Sequence, residues 1–428
     1  MNINDALSIG DIEQLAKRRL PRVVYEGIAS GVEDERGITR NETAFHRHRL
    51  LPYHLIDVSA RTQSTRLFGR THASPFGISP TGIAGIFRRD AELMLAQAAA
   101  GANVPFIMSG ASMVSIERVA EIDPANTWFQ IYAARDPKIS DDFVRRAREA
   151  GFGALVLTVD NPVPPKRERD SRNGFRLPPK LSPLALLEAL RHPAWVFDYL
   201  RRGGMPVMET WAPYAAPGAG AAEVARFFRT QSPSVQTWRD LEGFRRTWSG
   251  KLVVKGIMRP SDALRCAELG VDGIVVSNHG GKSLDRAPAS IELLSPIKAA
   301  VGDRLAVMLD SGVRRGSDVV VARCLGADFV FVGRATLYGV AAAGLPGATR
   351  ALDILREEID TTLGLIGCPS FEQLGPDFLA MEPDEFRQRS GTTPQKRSTQ
   401  ANDGSFGVTS LHSKAGPNLK ESAVRKST

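Results

Sequence analysis

Eight short apolar runs alternate with helix-like stretches along most of this 428-residue chain. Strands that are hydrophobic on both faces require a parallel sheet covered by helices. Successive runs are mostly separated by about 20 to 30 residues, enough for one helix and its loops. The pattern predicts a closed (β/α)8 barrel of the TIM type. The runs lie at residues 75–80, 104–109, 127–132, 154–159, 252–256, 273–277, 305–309 and 329–333.

One long interval interrupts this spacing. Residues 161–251 separate the fourth run from the fifth and far exceed one helix with its loops. Lids and accessory surfaces are usually inserted at the carboxyl ends of barrel strands. We therefore predict three segments. A helical segment covers residues 1–70, and a disordered basic tail covers residues 391–428. Between them, a β/α barrel domain over residues 71–381 carries the insertion and closes with a helix at 353–363.

The composition is typical of a globular protein. Hydrophobic residues make up 43% of the chain and charged residues 24%, and half of the net charge of +8 lies in the segment 391–428. This concentration of charge indicates a tail that is solvated or that touches an acidic membrane surface. It does not indicate a protein that binds nucleic acid. Three unpaired cysteines, the absence of an apolar signal core and the absence of any apolar run of roughly 18 residues predict a cytoplasmic protein without a metal site.

The middle of the insertion is both apolar and basic. Residues 181–202 contain leucines, Trp195 and Phe197, with Arg191 and Arg201 nearby. A helix of this kind can lie on a membrane surface. It can equally pack on the barrel or on a neighbouring subunit. The localisation that we predict is therefore cytoplasmic, with peripheral contact at the inner face of the membrane as one of these alternatives.

Polar side chains follow the predicted strands at their carboxyl ends. These ends meet on one face of a β/α barrel, where catalytic groups collect. A lone histidine in a turn is more often structural, but here the other residues converge on the same face. The residues are Gln130 and Tyr132 in the third run, Asp160 after the fourth, Lys255 in the fifth, His279 after the sixth, and Asp310 and Arg314 after the seventh.

Two glycine-containing loops follow the seventh and eighth runs. They are Asp310-Ser311-Gly312 and Val332-Gly333-Arg334. Backbone N–H groups and an arginine are what a phosphate monoester needs, and β/α barrels often hold a phosphate at this place. A lysine, a histidine and a phosphate site on one face indicate a phosphorylated cofactor with redox chemistry.

The chain resembles a known family at six motifs that occur in the same order. They are Phe129-Gln130-Ile131-Tyr132, Leu157-Thr158-Val159-Asp160, Lys255-Gly256-Ile257, Ser277-Asn278-His279-Gly280-Gly281, Asp310-Ser311-Gly312-Val313-Arg314-Arg315-Gly316 and Gly333-Arg334-Ala335-Thr336-Leu337-Tyr338-Gly339. These motifs are similar to those of the FMN-dependent 2-hydroxy acid dehydrogenase/oxidase family, most of all its bacterial (S)-mandelate and L-lactate dehydrogenase branch. The similarity runs from about Ile12 to Met381, and it implies that the barrel domain binds FMN.

The resemblance implies a role for each matching residue. His279 corresponds to the active-site base and Asp160 to the group that orients it, while Lys255 corresponds to the lysine whose charge stabilises the reduced flavin. Tyr132 and Arg167 correspond to groups near the hydroxyl and carboxylate of the substrate. The positions that correspond to FMN contacts are Pro80, Thr81, Gly82, Ser109, Gln130, Thr158, Lys255, Ser277, Asp310, Gly312, Arg314, Gly333 and Arg334.

Three positions depart from the family pattern. Lys282 stands where the family has an arginine that grips the substrate carboxylate, and a lysine cannot reproduce that planar fork. Gly27 stands in place of a tyrosine, and Tyr25 cannot substitute because helix positions i and i+2 face different ways. Ala111 replaces a larger residue. Either Arg167 or Arg286 compensates for the change, or the carboxylate clamp is relaxed and the pocket enlarged.

The sequence thus predicts an enzyme that oxidises a small 2-hydroxy acid to the 2-oxo acid and passes the electrons through FMN to an external quinone, cytochrome or oxygen. One alternative keeps the flavin chemistry but uses a larger or carboxylate-free substrate. Another is a flavin-binding barrel without turnover. The family resemblance also implies a homotetramer.

Overall fold

The computed structural model describes residues 1–175, 188–201, 203–232 and 234–380. The predicted tail at 391–428 and part of the apolar run at 181–202 lie outside the described residues. The described chain forms one compact unit that ends at Ala380.

The eight predicted strands form a closed parallel barrel, which confirms the predicted fold. Alternate side chains of each strand point inward, and buried residues such as Trp128, Val253, Met308 and Phe331 fill the interior. The strands follow one another around the barrel in chain order, with the last pairing with the first. They are β3 Phe76–Ile78, β4 Phe106–Ser109, β5 Thr127–Ile131, β6 Ala154–Thr158, β7 Lys251–Ile257, β8 Gly273–Val276, β9 Ala306–Leu309 and β10 Phe329–Val332.

A short hairpin closes the amino end of the barrel. Its strands, β1 Thr65–Leu67 and β2 Arg70–His72, pair antiparallel within a segment predicted to be helical or irregular. The Phe68 ring at the turn lies 5.5 Å from the ring of Trp128, and Leu67 joins the interior cluster. The carboxyl end is therefore the end at which the barrel presents its loops to a ligand.

Helices surround the barrel and its N-terminal extension. The closing helix is longer than the predicted 353–363, because it begins directly after Gly344 and accommodates Pro346 in its first turn. The helices outside the insertion are α1 Ile9–Arg19, α2 Arg22–Ala29, α3 Arg36–Thr43, α4 Ala91–Gly101, α5 Ile116–Ala120, α6 Pro137–Glu149, α11 Pro260–Glu268, α12 Leu294–Val301, α13 Gly316–Cys324, α14 Arg334–Ala343 and α15 Leu345–Leu365.

The insertion after β6 contributes helices α7 Glu168–Asn173, α8 Pro193–Leu200, α9 Ala221–Gln231 and α10 Trp238–Thr247. It is fixed to the carboxyl face of the barrel by the fully buried Trp211, whose indole N–H donates to the Gly110 carbonyl at 2.8 Å. Trp195 and Tyr199 of α8 donate to the carbonyl of Ile86, at 3.2 and 2.6 Å. The inner face of α8 therefore packs on the barrel.

The outer face of the same region is apolar. Leu190, just before α8, and Phe197 and Leu200 within it are 70%, 57% and 70% exposed. Among the described residues, no helix combines the length and the hydropathy that a membrane span requires.

Candidate active site

His279 lies on the carboxyl face, in a tight turn that follows β8. Its φ of +60° is unusual for a residue other than glycine. The Asn278 side chain accepts from the Gly281 N–H at 3.2 Å and stabilises the turn. The Nδ1 atom of His279 lies 2.8 Å from Asp160 Oδ1. Because a carboxylate only accepts hydrogen bonds, this contact places the proton of a neutral imidazole on Nδ1 and leaves the Nε2 lone pair available.

Two donors face this Nε2 atom. The Tyr132 hydroxyl lies 3.3 Å away and Asn161 Nδ2 lies 3.5 Å away. Burial raises the pKa of Tyr132, and the neighbouring Asp160 raises it further, so the phenol keeps its proton. Asn161 was missed at the sequence level, although it directly follows Asp160 at the end of β6. Its amide oxygen accepts from Ser283 Oγ at 2.8 Å and so connects two loops of the face.

A buried ion pair is connected to the histidine turn through the Ser277 hydroxyl, which accepts from the His279 N–H at 3.1 Å. Lys255 Nζ is 2.9 Å from Asp310 Oδ2 and donates to Ser277 Oγ at 2.6 Å. Burial alone would lower the pKa of Lys255, but the charge of Asp310 raises it above its ordinary value. Conversely, burial would raise the pKa of Asp310, and Lys255 lowers it. Both groups are therefore charged at neutral pH. Ser79, a further residue missed from sequence, donates to Asp310 Oδ2 at 3.0 Å.

Several buried polar atoms beside this pair lack a protein partner. Ser109 Oγ donates to Gln130 Oε1 at 3.1 Å, which directs the Gln130 amide group. Within the described part of the chain, Thr81 Oγ1, Gln130 Nε2 and Thr158 Oγ1 are buried and have no hydrogen-bond partner. Leaving such atoms unpaired is costly, so a bound polar group is expected there. Pro80 and Gly82 lie in the same loop after β3, and a methyl group on Gly82 would come within 3.4 Å of Ala111.

A site for an anion is built where β10 meets α14. Gly333 precedes this helix, and the helix N-terminus favours negative charge. Arg334 donates to the carbonyls of Ile28, Gly280 and Ser30 at 3.1, 2.8 and 3.1 Å. Burial lowers the pKa of Arg334 to about 10, and the charge of Arg314 contributes. A bound phosphate would offset the repulsion between the Arg334 and Arg314 guanidinium groups.

The loop after β9 completes the anion site. Gly312 has a φ of +91°, and no side chain could be added there because the Asn41 backbone lies against it. Arg314 forms an ion pair with Glu42 of α3 at 2.9 Å. Asn41 of α3 also exchanges two hydrogen bonds with the Asn278 side chain, at 2.8 and 2.6 Å. Both amides are buried, so the N-terminal segment braces the histidine turn.

Lys282, three residues after His279, and Arg167, in the insertion, are two further basic residues of the site. Lys282 Nζ donates to the Gly27 carbonyl at 2.8 Å. Burial lowers the pKa of Lys282 well below its ordinary value, and the charges of Arg334 and Arg167 lower it further. Arg167 precedes α7, and its Nε is buried with no partner among the described residues. Arg286 is exposed. Tyr25 donates to Glu13 at 2.7 Å, consistent with the expectation that it does not replace a side chain at Gly27.

Catalysis on a bound, phosphorylated cofactor is the class of activity that this face supports. The unpaired polar atoms, the charged lysine and the anion site fit a flavin mononucleotide in particular. The sequence profile of the FMN-dependent dehydrogenase family matches residues 16–381. The chain belongs to this family. It is an oxidoreductase that acts on CH–OH groups, and FMN is its cofactor.

Named relatives match over nearly the same span. The (S)-mandelate dehydrogenase of Pseudomonas putida is 39% identical over 376 residues, which are 88% of this chain and 94% of that protein. The L-lactate dehydrogenase of Caulobacter sp. strain K31 is 38% identical over 374 residues, 87% of this chain and 98% of that protein. A crystal structure of (S)-mandelate dehydrogenase, described as a monotopic membrane protein, superposes with a TM-score of 0.85 at 38% identity and covers 88% of this chain and 100% of that one.

Proposed function

We propose that the enzyme oxidises a small 2-hydroxy acid to the corresponding 2-oxo acid. The observation that carries this proposal is the His279–Asp160 pair, whose Nε2 faces Tyr132 on the same barrel face as the charged Lys255. Relatives named for mandelate and lactate oxidation support it. Bound FMN supplies a two-electron acceptor.

In this proposal the role of each catalytic side chain follows from its protonation state. His279 accepts the proton that leaves the substrate, and the Asp160 carboxylate stabilises the resulting imidazolium. Tyr132 keeps its proton and donates to the substrate oxygen. Lys255 supplies positive charge to the reduced cofactor, and its pairing with Asp310 keeps that charge in place.

The remaining residues hold the two ligands. Arg167 and Lys282 bind the substrate carboxylate in this proposal, since Arg167 acts electrostatically on both Tyr132 and Lys282, and neither basic side chain forms an ion pair with a carboxylate among the described residues. We propose the same cofactor-binding set that the sequence predicts, with the flavin ring at the unpaired polar atoms and the phosphate at the anion site. It consists of Pro80, Thr81, Gly82, Ser109, Gln130, Thr158, Lys255, Ser277, Asp310, Gly312, Arg314, Gly333 and Arg334.

A substrate panel tests this activity. Anaerobic mixing with the two enantiomers of lactate and mandelate, with glycolate and with longer 2-hydroxy acids should bleach the flavin absorbance for at least one of them. Bleaching only by large or carboxylate-free alcohols would replace the small acid by the alternative substrate class. A flavin that no compound of the panel reduces would indicate a binding barrel without turnover.

We further propose that the apolar outer face of the α8 region rests on a membrane, where the electrons pass to an external acceptor. Leu190, Phe197 and Leu200 are exposed together, and Arg201 lies beside this face with its guanidinium 5.2 Å from the Phe197 ring. Apolar residues flanked by arginines suit an anionic lipid surface. The monotopic relative supports the same location.

Replacing Leu190, Phe197 and Leu200 by serine should release the enzyme from sedimented membranes, because the buried apolar area is lost. A control variant replaces Leu51, Tyr53 and Leu55, which are also exposed but lie outside the insertion. That variant should stay with the membrane. Equal partitioning of both variants, measured by immunoblotting of membrane and soluble fractions, would refute the assignment of the α8 region as the anchor.

A further inference from the structure

The side-chain space at Gly27 is filled by a residue from the insertion. A methyl group built on Gly27 would come within 2.7 Å of three ring carbons of Phe175. Carbon atoms do not approach so closely, so the ring lies directly against the Gly27 α-carbon. The ring also faces the buried Phe87, with the ring centroids 6.3 Å apart and an interplanar angle of 14°. The missing side chain therefore does not enlarge the pocket.

The position of Phe175 is fixed by its own helix. Its N–H donates to the Asp170 carbonyl at 2.9 Å, just after Gly174 ends α7 with a φ of +76°. Asn173 donates to Glu26 of α2, and Arg169 Nε donates to Glu35 at 2.9 Å. Helix α7 is thus tied to the N-terminal segment at two points just before the ring.

A series of contacts connects this ring to the histidine turn. Gly27, on which the ring lies, accepts the hydrogen bond of Lys282, three residues after His279 in the chain. Arg167, which precedes α7, lies within electrostatic reach of both Tyr132 and Lys282. The apolar ring of Phe175 therefore lies on the residue that binds Lys282, and the charges of Arg334 and Arg167 act on this lysine.

We propose that Phe175 is a specificity-determining residue: its ring keeps water from the contact between Gly27 and Lys282 and thereby makes the cavity select a carboxylate over an uncharged ester or amide. A carboxylate bound beside Lys282 favours the protonated form of this lysine, and the attraction between the two charges is stronger when water is kept away. Among neighbouring cations, only an anionic substrate group relieves the repulsion. An ester of the same shape leaves Lys282 without a counter-charge.

This inference rests on the proposed function, since it concerns the substrate of the same site. The first measurement compares kcat/KM for a 2-hydroxy acid and its methyl ester in wild type, Phe175→Leu and Phe175→Ala. Phe175→Ala should lower the acid-to-ester ratio about tenfold, the factor that one charge-assisted hydrogen bond provides, mainly through a higher KM for the acid. Phe175→Leu, which keeps an apolar side chain, should lie between the two.

A purely structural role would change the acid and the ester by the same factor, and that result would overturn the proposal. Relocating the ring supplies a second test. Gly27→Phe alone should be disrupted by overlap with Phe175, whereas Gly27→Phe combined with Phe175→Ala should restore the acid-to-ester ratio. A double variant that folds and binds FMN but keeps the low ratio would likewise contradict the proposal.

A binding measurement separates this inference from the proposed function. Phenylacetate and phenylacetamide have no 2-hydroxyl group, and their binding is followed by perturbation of the flavin spectrum. In Phe175→Ala, the affinity for phenylacetate should fall about tenfold and that for phenylacetamide should not. If no 2-hydroxy acid reduces the flavin but this difference appears, the proposed function fails and the role of Phe175 stands. Equal changes for both compounds would refute the role of Phe175 itself.

Discussion

His279→Ala should bind FMN like wild type but reduce it with substrate about two to four powers of ten more slowly, the usual loss when a positioned base is removed. The imidazole Nε2 is directed toward Tyr132 at 3.3 Å, and Asp160 fixes the tautomer from the other side at 2.8 Å. An imidazole held in this way has its basic lone pair on the side where the substrate is expected. Stopped-flow measurement of anaerobic flavin bleaching gives the rate directly.

Two further variants make this result specific. His54→Ala changes an exposed histidine in the segment that precedes β1 and should leave the rate unaltered. Asp160→Asn keeps the size of the side chain but removes the charge that stabilises the imidazolium, so it should also slow bleaching while retaining the flavin. A His279→Ala enzyme within a few-fold of the wild-type rate would show that another group accepts the proton.

The barrel could be predicted from sequence because its strands are encoded locally. Each strand is a short apolar run, and the residue that follows it lies at the carboxyl face whatever the rest of the chain does. For this reason the sequence placed His279, Asp160 and Lys255 on one face, where the structure brings them together. The hairpin β1–β2 was missed because strands of three residues carry too short a pattern.

Contacts between distant segments could not be predicted in the same way. The amide pair of Asn41 and Asn278 joins residues 237 positions apart, and neither residue signals its partner. Likewise Gly27 looked like an opening in the substrate pocket, since the sequence does not show that the Phe175 ring fills it. From sequence, Lys282 is only a weak replacement for an arginine. In the structure, its hydrogen bond to Gly27 fixes its position, and burial together with the neighbouring cations lowers its pKa.

The ion pair of Lys255 and Asp310 should produce the largest effect on stability. Their side chains are only 4% and 8% exposed. Lys255→Met would leave Asp310 charged and buried, which costs about 3 to 5 kcal/mol, because the desolvated carboxylate loses its counter-charge. Urea unfolding at equal, saturating FMN should show this loss, since bound cofactor contributes to the apparent stability of each variant.

Neutralising both partners separates the structural role of this pair from its chemical role. Lys255→Met combined with Asp310→Asn leaves no charge at this pair, and the new amide oxygen can still accept from Ser79, so much of the lost stability should return. Flavin reduction should not return, because the positive charge beside the cofactor is absent in both variants. If the double variant regained the wild-type rate of reduction, Lys255 would be a structural residue only. If the single variant unfolded like wild type, Asp310 would have to be protonated in the folded enzyme, contrary to the charged pair inferred from its contacts.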